Sequence, residues 1–282
     1  MITTRMISVL ALAMLMAVEV HAKSPSRNGP RTPPPATVPV TVDNFIRAET
    51  DVYFSNVVRD KGLGRFKHNR TLTPINDQTV IRMNRDTLYS AGVFDLDAGP
   101  VTVIFPGAGA RFMSMQVITE DHFAPAVVYK PGSYTFSQEE MGTRYILIAI
   151  RILVDPSDPK DLEEVHALQD AIKVNQVSPG RFEIPRWDAA SQKKIRDALI
   201  VLGTTIPDLK HMFGTKEQVT PLRHLIGTAI AWGGNPETEA TYLNVTPARN
   251  DGNTIHRLSV REVPVDGFWS ITVYNGRGYF ES

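Results

Sequence analysis

The chain contains no cysteine, so neither disulfides nor thiolate metal ligands contribute to its fold or chemistry. It also lacks net charge. Thirty Lys and Arg balance thirty Asp and Glu, which leaves no global field to draw in nucleic acid or an anionic membrane surface. Nucleic acid is therefore not expected as a partner. An apolar run of the roughly 18 or more residues that span a bilayer is missing as well. The nearest approach, Ile7 to Val18, is interrupted at Glu19, so no transmembrane segment is expected. Histidines are few, and among His68, His122, His166, His211, His224 and His256 no pair has the i, i+4 spacing of a zinc-binding helix. There is no G-x-S-x-G elbow, and Gly107-Ala108-Gly109 and Gly276-Arg277-Gly278 are too short for phosphate cradles. No metal or cofactor is expected.

The N-terminus has the three parts of a secretory signal: Arg5, the apolar stretch from Ile7 to Val18, and small residues around Val20-His21-Ala22. Residues 1–22 are read as that signal, with cleavage after Ala22 and a periplasmic or secreted location. Residues 23–40 hold Pro25, Pro30, Pro33, Pro34, Pro35 and Pro39. Proline fixes φ and removes a donor, which predicts an extended linker there. The folded part begins near Thr41, with a helix whose apolar positions Phe45, Ala48, Val52 and Tyr53 recur at helical spacing.

From Val80 to Val154 the period changes to two. Residues 101–105, 112–118 and 145–154 read as strands, the last with Ile146, Ile148, Ile150, Ile152 and Val154 on one face and Tyr145 and Arg151 on the other. Lys130-Pro131-Gly132-Ser133 suits a type II hairpin turn. Helices are expected after Asp158-Pro159 and Asp188, over Leu209 to Phe213, and from Thr220-Pro221 to Gly233-Gly234. Residues 258–260 and 268–274 return to a strand pattern, with Asn275-Gly276 as a turn. These elements predict a mainly β chain of antiparallel sheets, sandwich or jelly-roll-like, with a helical insertion over residues 175–254: α+β overall.

The polar stretch Asn84-Arg85-Asp86-Thr87-Leu88-Tyr89-Ser90 offers a base in Asp86, an anion clamp in Arg85 and a proton donor in Tyr89. A turn network is the preferred reading, because Asn, Asp and Thr before a strand bond nearby backbone groups. Glu120-Asp121-His122 is the best local acid/imidazole cluster, and His122 is a further catalytic candidate, although a solvated loop is preferred. Asn84, Trp232 and Asn235 are candidate ligand contacts. Trp232 offers a ring beside two glycines, whereas Trp269 alternates with apolar neighbours and is assigned to the core. Two functions compete: a module that binds a small molecule or saccharide or is purely structural, and an exported hydrolase-like enzyme acting on a small or oligomeric neutral substrate.

The stretch at 84–90 with Asp95-Leu96-Asp97, and Val263-Pro264-Val265-Asp266-Gly267-Phe268-Trp269-Ser270 with Val273-Tyr274-Asn275, resemble the paired domains of unknown function 1254 and 1214. Gly142-Thr143-Arg144-Tyr145, residues 224–229 and Trp232-Gly233-Gly234-Asn235-Pro236 add to the likeness. The resemblance implies jelly-roll-like β domains, here 41–174 and a partial second domain at 255–282, and it implies no agreed activity. Relatives continue after a segment like Gly278-Tyr279-Phe280-Glu281, so the second sheet is expected to be incomplete and its apolar edge to favour self-association.

Overall fold

Four isoleucines that alternate along residues 146–152 are completely buried, each stabilising the fold by about 2 kcal/mol through burial alone. The surrounding sheet is organised by that stripe. The computed structural model describes residues 36–76, 78, 84–243, 245, 247–275 and 279–280. The expected signal segment, the linker up to Pro35 and Gly276 of the C-terminal turn lie outside the described residues. In chain order the elements are helix α1 (Phe45–Arg59), strands β1 (Lys67–His68), β2 (Thr87–Asp95), β3 (Val101–Phe105), β4 (Met113–Thr119), β5 (Ala126–Val128) and β6 (Gly132–Phe136), short helix α2 (Gln138–Met141), β7 (Tyr145–Leu153), α3 (Pro159–Ala171), β8 (Lys173–Asn175), α4 (Ala189–Gly203) and α5 (Pro221–Ile230).

The strands form two antiparallel sheets, ordered β1-β2-β7-β4-β5 and β6-β3-β8. The inner faces meet in one core, where Val101, Val103, Phe105 and Phe136 oppose Met113, Met115, Val117 and the isoleucines of β7. Helix α3 contributes Val165, and Ile172 follows it into the same core. Its start is the expected one, Pro159 at the first position and the Asp158 carboxylate accepting from Lys160 N–H. The architecture is α+β.

The outer face of the five-stranded sheet positions the candidate site. Its lower half is covered by α1, where Phe54 packs on Val93, Ile118, Tyr145 and Leu147. Helices α4 and α5 pack on the far side of α1 through Leu199, Ile226, Phe45 and Ala48. The buried side of α1 includes Glu49, Thr50 and Asp51, while Val52 is exposed, so apolar periodicity only partly reported which way this helix faces.

Several expectations are corrected. The 130–133 turn does not close a hairpin: β5 belongs to the large sheet and β6 to the small one, and Gly132 is already in β6 opposite Phe105, without the left-handed backbone of a type II turn. Residues 209–213 form turns, because His211 takes a left-handed φ of 58° that interrupts a helix. Among the described residues, 258–260 and 268–274 pair with no strand. Trp269, expected in the core, is 54% exposed, and Ile271 and Val273 of the same alternation are exposed as well. Phe268 instead turns inward to Phe112, with ring centroids 5.0 Å apart. A strand pattern becomes a strand only where unpaired backbone meets it; Phe268 meets a ring.

Candidate functional site

The upper half of the same outer face carries polar side chains. Tyr89, Arg151 and Ser114 stand directly across from one another on β2, β7 and β4, and Ala91, Ala149 and Gln116 form the next row. Arg151 Nε donates to Ser114 Oγ at 3.4 Å and its Nη2 to Asn235 Oδ1 at 3.3 Å, while the guanidinium lies 5.7 Å over the Phe112 ring. Gln116 Nε2 donates to Gly234 O at 3.0 Å, which anchors the residue before Asn235. Tyr129 O–H donates to Glu239 at 2.6 Å nearby, and burial with that carboxylate pushes the phenol upward.

Asn84 organises the polar stretch that leads into β2. Its Oδ1 accepts from Asp86 N–H, Thr87 N–H and the Thr87 hydroxyl, and its Nδ2 donates to Tyr89 Oη at 3.0 Å. Burial pushes the Tyr89 phenol above its ordinary value. Asp86 accepts from the exposed Ser270 hydroxyl at 2.8 Å. Arg85 lies 5.8 Å from the Phe280 ring, its Nη1 buried without a partner among the described residues. We therefore expect Asn84→Ala to cost about 1–3 kcal/mol, since it strands several partners, and Asp86→Ala to cost under about 1 kcal/mol. Denaturant midpoints measured for both variants check the order, which a costlier Asp86→Ala would reverse.

His122 is not in a solvated loop. It is 3% exposed, and Glu120 is 5% exposed. The chain after β4 turns inward because His122 adopts a left-handed φ of 62°, held where Nδ1 donates to Thr228 Oγ1 and Nε2 accepts from Gly233 N–H, both at 2.8 Å. Thr228 in turn donates to His224 O, which leaves its oxygen free to accept. His122 is thus the neutral Nδ1–H tautomer, and burial followed by the adjacent His224 lowers its pKa well below 6.5. His224 places its two nitrogens 2.9 Å from Met212 O and Asp121 O.

Five rings stack through this region: Tyr53, Trp232, His122, His224 and Phe123, with successive centroids 4.2, 5.3, 5.5 and 4.8 Å apart. Trp232 Nε1 also donates to Thr50 Oγ1 on α1 at 3.1 Å. Loop 231–236 joins this column to the polar face, with Gly233 on His122 and Asn235 on Arg151. Both glycines are required there: Gly233 has φ 79°, and a Cβ on Gly234 would meet the Phe213 ring at 2.5 Å.

The candidates from sequence thus fall into two places, with Arg85 apart from both beside Phe280. Asn84, Tyr89 and Asn235 border the Arg151 face, while Asp86 is held by Ser270; His122 and Trp232 belong to the column. Ser90 does find a histidine, since it bonds His68 Nδ1 at 2.8 Å, but it is 1% exposed and also accepts from Gln169. It is a packed strand contact. Sequence reasoning passed over Ser114 and Gln116, which nothing local distinguishes. Arg151 was legible only as a charge within an isoleucine-rich strand. A concavity of about 390 Å³ beside Arg111 and Glu164 contains a guanidinium already matched by Asp161 and Glu164. Among the described residues no group of His, Asp and Glu is placed to hold a metal, and no helix is long and apolar enough to cross a membrane.

Residues 63–131 match the family model described as "Protein of unknown function (DUF1254)". That interval contains β1 to β5 and therefore Tyr89, Ser114, Gln116 and His122; Arg151 and Asn235 lie beyond it. The fold is similar to the crystal structure of the VPA0106 protein from Vibrio parahaemolyticus, at 15% identity and a TM-score of 0.53 over 70% of this chain and 69% of that one. At that identity the likeness concerns the fold alone. A search of curated proteins returned no match.

Proposed function

We propose that the protein is an exported, non-catalytic module that binds a small molecule or saccharide on the outer face of its five-stranded sheet. The supporting observation is the convergence there of Tyr89, Ser114, Arg151 and Asn235 from four separate chain segments. The set has hydrogen-bond donors and acceptors but no paired nucleophile and base, which suits recognition better than bond cleavage. His122, Asp86 and Tyr89 each have internal partners and do not share one point, which weighs against the hydrolase-like alternative. The likeness to the domain of unknown function 1214 remains part of this reading on the quoted residues alone.

Protein recovered from the exported fraction, expected to begin at Lys23, can be screened by thermal shift against neutral sugars, small acids and metal ions. Binding to the native state alone raises the melting temperature, by the equivalent of about 2.7 kcal/mol at 100 times the dissociation constant. Reproducible shifts by one organic class are expected. Turnover of any such ligand by the pure protein would sink the non-catalytic reading.

A further inference from the structure

Of the eight half-buried arginines among the described residues, Arg47, Arg70, Arg111, Arg144, Arg196 and Arg223 each sit on a carboxylate, and Arg85 lies by the Phe280 ring. Arg151 is half-buried too, yet among the described residues its partners are two neutral oxygens at 3.3–3.4 Å and a ring. The carboxylates of the neighbouring segments are engaged elsewhere, Asp86 by Ser270 and Glu239 by Tyr129. A guanidinium withdrawn from water without an anion is costly, and its planar fork matches two oxygens of one acidic group. Beside it are the small side chains Ala91 and Ala149, both only partly buried, with Ala149 bordering the Phe54 cluster under α1.

We propose that Arg151 anchors the carboxylate of a small organic acid whose body lies over Ala91 and Ala149, with Tyr89, Ser114 and Asn235 as the surrounding polar contacts. This deepens the binding reading above and rests on it. Carboxylate is favoured over phosphate by charge: one guanidinium balances a monoanion. A phosphoryl group carries about 1.5–2 negative charges, whereas among the described residues the groups touching Arg151 are neutral and Asp86 and Glu239 of the neighbouring segments are acidic. The class includes acidic sugars, in which a ring supplies the body and a uronate the anchor.

The test uses calorimetric titration of the whole protein with acetate, benzoate and glucuronate, their uncharged counterparts acetamide, benzamide and glucose, and inorganic phosphate. At least one acid is expected to bind more tightly than its uncharged counterpart and than phosphate. Arg151→Gln should weaken that acid by about 100-fold and Arg151→Lys by about tenfold, because lysine keeps the charge and loses the fork. Ala149→Leu should block binding while leaving Arg151 in place, and circular dichroism checks that each variant folds. Equal acid affinity in wild type and folded Arg151→Gln overturns the proposal. Preference for phosphate overturns the carboxylate assignment. Binding of glucose or an amide that Arg151→Gln does not alter leaves the module standing and removes the acid anchor; no binding by any probe removes both.

Discussion

Replacing His122 with alanine is expected to destabilise the protein by about 3–5 kcal/mol, the largest effect of any single change considered. The ring is 3% exposed in the middle of a five-ring stack, so its loss leaves a cavity. It also leaves Gly233 N–H without its acceptor. The same bond makes the fold sensitive to acid. Neutral His122 accepts from Gly233, and a proton on Nε2 would set two donors against each other. Its folded pKa is lowered well below the ordinary 6.5, so below pH 6.5 the unfolded chain binds the proton that the native state refuses. Its contribution is present above pH 6.5 and is lost as pH falls, at up to about 1.4 kcal/mol per pH unit. Denaturant unfolding from pH 7.5 to 4.5 checks this. A His122→Ala variant should lack that component of the slope, and a variant retaining wild-type stability would refute the role of the stack.

Asp51→Asn is expected to act in the opposite direction and stabilise the protein by about 2–3 kcal/mol at pH 7.5. Asp51 lies on α1 at 1% exposure, accepting from Trp187 Nε1 at 2.7 Å while its Oδ1 has no partner among the described residues. Burial, with Glu120 adding to it, pushes the carboxyl up to about 6 from 3.8 despite the Trp187 bond and Arg47. A raised carboxyl binds its proton more tightly in the native state. Its contribution is fully present below pH 3.8 and is lost as pH rises through 6. Glu120 is raised for the same first cause, burial, and adds to the gain on acidification. In the wild type these gains offset the His122 loss between about pH 6 and 4, giving a shallow profile. Asparagine keeps an acceptor for Trp187 and removes the titration, so the variant should be more stable near neutrality and lose stability more steeply on acidification. An unchanged profile would mean that Asp51 is solvated better than its burial implies.

Much of the framework was legible from local pattern. The alternation Ile146 to Ile152 announced a strand with one dry face, and Asp158-Pro159, Asp188 and Thr220-Pro221 marked helix starts that the structure retains. These signals work because they depend on neighbours within a few residues: side-chain direction along a strand, a carboxylate oxygen at Asp158 and Asp188 that meets a free N–H, and a proline at the first helical position after Asp158 and Thr220. The stretch at 84–90 was likewise readable as a turn network, although its organiser proved to be Asn84.

Partners distant in the chain were decided by the tertiary structure alone. Arg151 meets Asn235 across 84 residues, and His122 meets Gly233 across 111; no spacing rule encodes either pair. The left-handed backbone at His122 and His211 turned a presumed solvated loop inward and replaced a presumed helix by turns. The alternating segment from Phe268 to Tyr274 had every local property of a strand and, among the described residues, found no strand to pair with. Composition and period state what a segment is able to form; whether it forms it, and which face turns toward a ligand, depends on what the rest of the chain brings alongside.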